Sequence, residues 1–360
     1  MKNYFLQLFT WTLIVSISFI FGCKKENDDN PPGPTPQEII GWAIGGPVDG
    51  YGSIIYTADG ENWVRQGDST MIPNVEISDI YAIDKNNAWA VGARDNGYGT
   101  ILRTSNGGLT WERQGNKGSI PDTDLGGVRA VSNNIAWAAG TSEVILKTTD
   151  GGATWVKQAE GLFPGANYYR LFAYDKDHVW AVGAHHNDSI ALIVYTGDGG
   201  ATWEIQGADV VQPTDLYILD IHAFDANNVW TAGRSAIYIT TDQGTTWMRK
   251  DGPNAYDNNG ICVVGTSKAF VVSDYCNIDI TGDQGDTWDK QIVSCTTQVA
   301  SYIMGITALD ENNLWAVNSN FDPNQLGSIF RTTDGGNTWV ELVCPVNAQL
   351  RRISFVGDLR

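Results

Sequence analysis

The stretch TTDGGATW at 148–155 returns as TGDGGATW at 196–203 and as TTDGGNTW at 332–339. Looser copies stand at 57–63 (TADGENW), 104–111 (TSNGGLTW), 240–247 (TTDQGTTW) and 281–288 (TGDQGDTW). Their tryptophans are 41 to 51 residues apart, the spacing of a repeated supersecondary unit. A second phrase lies between the copies: NNAWAVG (86–92), NNIAWAAG (133–140), DHVWAVG (177–183), NNVWTAG (227–233) and NNLWAVN (312–318). GWAIGG at 41–46 is a headless copy, and in the sixth repeat Phe270 takes the tryptophan's place. Of the fourteen tryptophans, only Trp11 lies outside the two phrases.

A third phrase precedes the second: SDIYAID (78–84), GGVRAVS (126–132), YRLFAYD (169–175), LDIHAFD (219–225), NGICVVG (259–265) and MGITALD (304–310). Its alternating apolar residues mark a strand. The Asp-x-Asn-Asn that often follows is a tight turn, because Asn and Asp bond their own backbone and tolerate left-handed angles. The unit reads strand A, turn, strand B with Trp, loop, strand C, boxed turn, strand D. Four strands every 40–50 residues is the pattern of a propeller blade. The N-terminal copy lacks strand A, and RRISFVG (351–357) is a strand A with nothing after it. The sequence therefore predicts an all-β, seven-bladed β-propeller of four-stranded antiparallel blades over 38–360. It is closed by pairing 351–356 with 40–44, which leaves no open sheet edge.

The phrase S/T-x-D-x-G-x-T-W resembles the Asp-box, the bacterial neuraminidase repeat. Asp59, Asn106, Asp150, Asp198, Asp242, Asp283 and Asp334 occupy its acidic place. A short carboxylate there accepts backbone N–H bonds inside the turn, glycines supply left-handed angles, and Trp155 and its counterparts pack under the hairpin. Seven carboxylates on seven blades cannot converge on one substrate, so the box reads as a staple of the fold. The chain from about 38 to 360 resembles Asp-box propellers, most closely the photosystem II stability/assembly factor family. That resemblance implies a non-enzymatic scaffold holding partner proteins on its disc face through an arginine patch, matched here in part at Arg129, Arg170 and Arg352. Sialidases share the box but carry an Arg-Ile-Pro motif, which this chain lacks. Xyloglucanase-type glycosidases pair two propellers around a cleft, and sortilin-type receptors have ten blades.

Candidate recognition residues are the places where strand A departs from uniformity. The second place reads Asp79, Gly127, Arg170, Asp220, Gly260, Gly305 and Arg352; the fourth reads Tyr81, Arg129, Phe172, His222, Cys262, Thr307 and Ser354. Asp79, Tyr81, Arg129, Arg170, Asp220, His222 and Arg352 are the expected partner or ligand contacts at the channel mouth. The alternative is that they satisfy one another and close the channel. Glycoside hydrolysis needs two carboxylates flanking the cut bond, and nothing marks Asp79 and Asp220 as acid and base. No catalytic residue, cofactor or metal motif emerges. His185-His186 has no third ligand marked in the sequence, and the aspartates of DKNN, DANN and DENN lack an EF-hand's length and terminal Glu.

The first 22 residues form an apolar signal after Lys2, ending in IFGC (20–23). This resembles a lipobox, with Cys23 lipidated. KKENDDNPPGPTPQ then makes residues 23–37 a charged, proline-rich tether. The acidic residues behind Cys23 resemble a surface-export tag. The expected location is the outer membrane or the cell surface. In that oxidising setting Cys262, Cys276, Cys295 and Cys344 are disulfide candidates, with Cys262–Cys276 or Cys276–Cys295 favoured. A net charge of −18 repels nucleic acid. The expected partners are a protein client or an extracellular glycan, met by a monomer.

Overall fold

The computed structural model describes residues 38–185, 190–254, 256–293, 301–320 and 327–358. The signal and tether, including Cys23, lie outside the described residues, as do His186 and Cys295. Among the described residues there is no helix, and the strands form seven four-stranded antiparallel sheets. Six sheets run A-B-C-D in chain order; the seventh is made of Leu350–Phe355, Gly41–Val48, Tyr51–Thr57 and Trp63–Gln66. There the C-terminal strand pairs antiparallel with the N-terminal one, Gly41 opposite Phe355 and Ile44 opposite Arg352. The Val356 N–H adds a bond to the Ile40 carbonyl at 2.8 Å. The expected closure is met to within a residue at either end.

Strands A, B and C are buried almost throughout, because each is covered by a neighbouring blade on both faces. Outer strands such as Val156–Gln158 are exposed or half-buried, because no further strand covers them. The core is divided into seven clusters, one at each junction of adjacent blades. The strand-B tryptophans Trp42, Trp89, Trp137, Trp180, Trp230 and Trp315 are fully buried there, with Phe270 in the sixth position. Each buried indole removes about 150–250 Å² from water, several kcal/mol at about 25 cal/mol per Å².

The boxed turns explain why the phrase repeats. The Thr148 hydroxyl accepts the buried Gly152 N–H at 2.9 Å and donates to Asp150 at 2.9 Å. Asp150 accepts the Thr154 N–H at 2.9 Å and its hydroxyl at 2.6 Å. These bonds hold the Asp150 carboxyl down at about 2, the Thr154 hydroxyl first among them. In the second repeat Asn106 substitutes without loss of a bond: its oxygen accepts the Thr110 N–H, and its amide donates to the Thr110 hydroxyl.

The tryptophan of the box does more than the hairpin reading expects. Trp155 stands edge-on to Trp89 of the preceding blade, ring centroids 5.6 Å apart, and Trp203 stands likewise on Trp137 at 6.0 Å. Gly152, at φ +94°, lies so close to Trp89 that a Cβ would come within 2.7 Å of its ring. Across the closing junction the Trp315 indole donates to the Gly60 carbonyl at 2.8 Å. The box joins blade to blade.

The cysteine expectation needs one correction. Cys276 is disulfide-bonded, and its partner lies outside the described residues, where Cys295 also falls. Cys262 and Cys344 are free thiols. Cys262 pairs with Phe270 near the A–B turn, whereas Cys276 lies beyond Ser273 at the other end of strand B. Three residues of strand span roughly 10 Å, more than a disulfide bridges.

Two expectations follow. A chain ending at Gln349 exposes the edge of Gly41–Val48 and loses its cooperative thermal transition; a truncated protein that melts like the parent contradicts the closure. Thr148→Val leaves the Gly152 N–H buried without its acceptor and costs about 1–3 kcal/mol in urea denaturation.

Candidate functional site

The innermost strands touch their neighbours around a complete ring, with Ser301–Ala308 against Leu350–Phe355 and Leu350–Phe355 against Ile77–Ala82. Each A–B pair carries a register shift at the same place, leaving one extra residue on strand A. The extra residues are Ser78, Gly126, Tyr169, Leu219, Asn259, Met304 and Arg351. A bulge bends its strand and re-aims the next side chain. That next residue is the second place of the phrase, and at five of these bulges the carbonyl is turned toward the channel.

The carbonyls of Ser78, Gly126, Tyr169, Asn259 and Arg351 are bonded by two arginines. Arg170 donates to Gly126, to Tyr169 at 2.6 Å and to Ser78 at 3.5 Å. Arg352 donates to Asn259 at 3.0 Å and to Arg351 at 3.2 Å. Glycines of the second place make room for this. A Cβ on Gly305 would meet the Arg352 side chain at 3.2 Å, and one on Gly127 would meet the Arg170 backbone at 3.0 Å.

The acidic residues follow a second rule. Asp79 accepts the Val128 N–H of the next blade at 2.9 Å, and Asp220 accepts the Ile261 N–H of its next blade at 3.0 Å. One turn deeper, Ser354 accepts the Ala82 N–H at 3.1 Å, and His222 Nδ1 accepts the Val263 N–H at 3.3 Å. Arg129 bonds Asp79 at 3.2 Å and lies over the Tyr81 ring. Asp220 has Arg170 at 4.0 Å and Arg352 at 3.9 Å. His222 stands against Phe172, with ring centroids 5.4 Å apart.

Six of the seven candidate residues, all but Arg170, line one cavity together with Asp358. Asp358 follows the last strand, outside the repeat, and the strand phrases do not point to it. It bonds Thr307 at 3.1 Å and Ser354 at 3.2 Å. Burial lifts its carboxyl to about 6, against the nearby charge of Arg129. Burial also brings Arg352 down to about 10, with Arg170 adding repulsion and Asp220 opposing. For Arg129, burial opposes the charge, but Asp79 first among its neighbours keeps the guanidinium more firmly protonated than usual. Three arginines thus face three aspartates. The cavity measures about 40 Å³, room for one or two waters, and no sugar ring fits inside it. Arg129, Arg170 and Arg352 are turned to carboxylates and carbonyls within the hub.

The other candidates play local parts. Asp84 accepts the N–H groups of Asn86 and Asn87 at 2.8 and 2.9 Å, the turn chemistry expected of DKNN. Among the described residues, no group of three or more His, Cys, Asp or Glu is placed to hold a metal ion.

A family model described as photosynthesis system II assembly factor YCF48 matches residues 71–169 and 166–319. The chain belongs to that family. Among solved structures, YCF48 bound to D1 peptide is 19% identical over 75% of this chain and 81% of its own, with a TM-score of 0.57. YCF48 from Cyanidioschyzon merolae is 20% identical over 77% and 87%, also at 0.57. A GH74 enzyme from Niastella koreensis is 14% identical over 89% and 69%, at 0.50. At these identities each likeness is one of fold. Curated proteins yield no match to the chain.

The hub makes a stability prediction. Arg352→Ala takes from Asp220 one of its two guanidinium neighbours and leaves two inward carbonyls without their donor, at a cost of about 3–5 kcal/mol. In a denaturation double-mutant cycle, adding Asp220→Ala costs less than the sum of the single changes; strict additivity would show that the two do not share a network.

Proposed function

We propose that this chain is a non-enzymatic scaffold that holds a protein client on the face where the strands A begin. Membership of the YCF48 family is the observation that carries this reading. A protein of like fold is known bound to a D1 peptide; here the client is another polypeptide, whose identity the fold does not specify. The hub supports a binding role over a catalytic one. Its carboxylates accept backbone N–H groups and face arginines, and its cavity has no space for a substrate. The client therefore meets the rim of the mouth, made of the bulged residues, the B–C turns and the D–A connections. In this reading Asp79, Tyr81, Arg129, Arg170, Asp220, His222 and Arg352 shape the floor of that surface. A lipid on Cys23 and the tether behind it attach the propeller to the outer membrane and leave the disc free to turn toward its client.

The alternative is a glycan-binding or glycan-cleaving protein, and its support is a likeness of fold to a GH74 enzyme. Photo-reactive side chains separate the two. Placed in the B–C turns at Asn96, Ser142 and Ser235, they are expected to join one discrete protein in intact cells. The same groups at Asn86, on the opposite face, join none. Cross-links only at Asn86, or reducing sugar released from a polysaccharide panel by the purified protein, would overturn the scaffold reading.

A further inference from the structure

One side of the mouth carries an aromatic surface. Tyr256 lies in the connection into strand Asn258–Val263, Tyr275 in the following B–C turn, and Tyr302 at the start of strand Ser301–Ala308 in the next blade. Tyr256 and Tyr275 are 51% and 45% exposed, high for large aromatic residues, and they adjoin. Their ring centroids are 5.1 Å apart at 69°, so the rings form two walls of a corner. Tyr302 lies 6.5 Å beyond Tyr275.

The backbone shows that Tyr275 is held in place. Tyr275 and Cys276 have φ of +60° and +61°. Two other blades fill these places with Asp49-Gly50 and Asn96-Gly97, residues suited to left-handed angles, and a third with Ser142-Glu143. A bulky side chain at such an angle is uncommon, and it persists only where its surroundings over-determine it. Two ties do so here: the Tyr275 N–H bonds the Ser301 carbonyl at 2.9 Å, and Cys276 is in a disulfide. The turn keeps an aromatic ring at the surface where a small polar residue would be the unstrained choice.

Charge completes the surface. Asp257 and Asp274 flank the rings in sequence; the backbone of Asp274 pairs with that of Tyr302 and the backbone of Asp257 with that of Arg234, and the Tyr217 hydroxyl donates to the Asp257 carboxylate at 2.9 Å. Asp274 is held above the usual carboxylate range by burial, with the charge of Asp257 adding to it and Asn259 and Arg234 opposing. Arg234, itself exposed, is a neighbouring cation of both carboxylates, within a molecule of net charge −18.

Resting on the scaffold reading, we propose that the Tyr256–Tyr275 corner, with Asp257 and Asp274 beside it, receives an arginine or lysine side chain from a basic segment of the client. Aromatic faces attract a guanidinium or ammonium group, and the carboxylates supply the opposite charge. The acidic field of the whole molecule brings such a segment to the mouth.

The test uses the mature full chain and four labelled peptides of one length, bearing several arginines, lysines, citrullines or glutamates, at physiological salt. The arginine and lysine peptides are expected to bind, and the citrulline and glutamate peptides to bind at least tenfold more weakly. Tyr275→Asn and Tyr256→Leu leave the net charge unchanged, so they separate the corner from the general acidic field. Each is expected to weaken the arginine peptide about five- to tenfold. Tyr275→Asn should leave Tm unchanged or raise it, because asparagine accepts the left-handed angle; this shows that lost binding is not lost folding. Equal binding of the arginine peptide to wild type and both variants overturns the proposal, as does equal binding of arginine and citrulline peptides. If either occurs while photo-reactive groups at the B–C turns still capture a client, the scaffold reading stands and only the basic-segment site falls. If a glycan panel binds at the corner and no client is captured, both fall.

Discussion

The structure depends on one recurring contact: a boxed turn resting on the strand B aromatic ring of the blade before it, as at Trp89, Trp137, Phe270 and Trp315. Gly152 against Trp89 shows the constraint most plainly, since its angle and the closeness of the ring both exclude a side chain. A four-stranded sheet alone buries neither face. A sheet is covered only when the next blade packs on it, and the closing contact, Trp315 to Gly60, needs the two ends of the chain together. Ring closure and core formation are therefore the same event. The seven core clusters lie between blades for this reason.

The hub answers a problem that the ring creates. Seven bulged strands meet around the axis, and five of the carbonyls at their bulges are collected by just two long, branched cations. Arginine suits this, because its planar fork donates to several acceptors at once. The arginines need room, which Gly127 and Gly305 provide, and they need counter-charge, which Asp220 supplies. Polar groups so enclosed are costly unless fully bonded, and here they bond one another. Variety at the axis reflects how one closed network shares its donors and acceptors around seven unequal positions. The surface outside that network is free to differ, and it is there that the tyrosines gather.

Relatives of the same fold show how little the ring itself says about chemistry. A propeller bound to a peptide and a GH74 enzyme share its architecture. What is particular to this chain is local: hub carboxylates engaged by backbone N–H groups, and a hub cavity sized for water. The arginines that the family resemblance marks for partner contact lie inside that hub, and the exposed rim on the side of Tyr256 and Tyr275 is aromatic and acidic.

The amino-acid sequence by itself determined the blade count, the four-strand unit, the staple role of the box and, to within a residue at either end, the interlocking of 351–356 with 40–44. All of these are written in short-range, repeated patterns. It also singled out the seven hub residues, because a repeat shows where it is broken. Only the tertiary structure decided what those residues meet. The bulges at Ser78 and its counterparts leave the alternating pattern unchanged, so they could not be read from it, although the glycines at the second place were a trace of the close approach. Asp358 lies beyond the last phrase. Tyr256, Tyr275 and Tyr302 come from separate segments across two blades and become neighbours only after the ring closes. Local patterning specifies strands and turns through backbone angles and burial. Which side chains share a cavity or a corner depends on distances between blades, and those are set by packing around the whole circle.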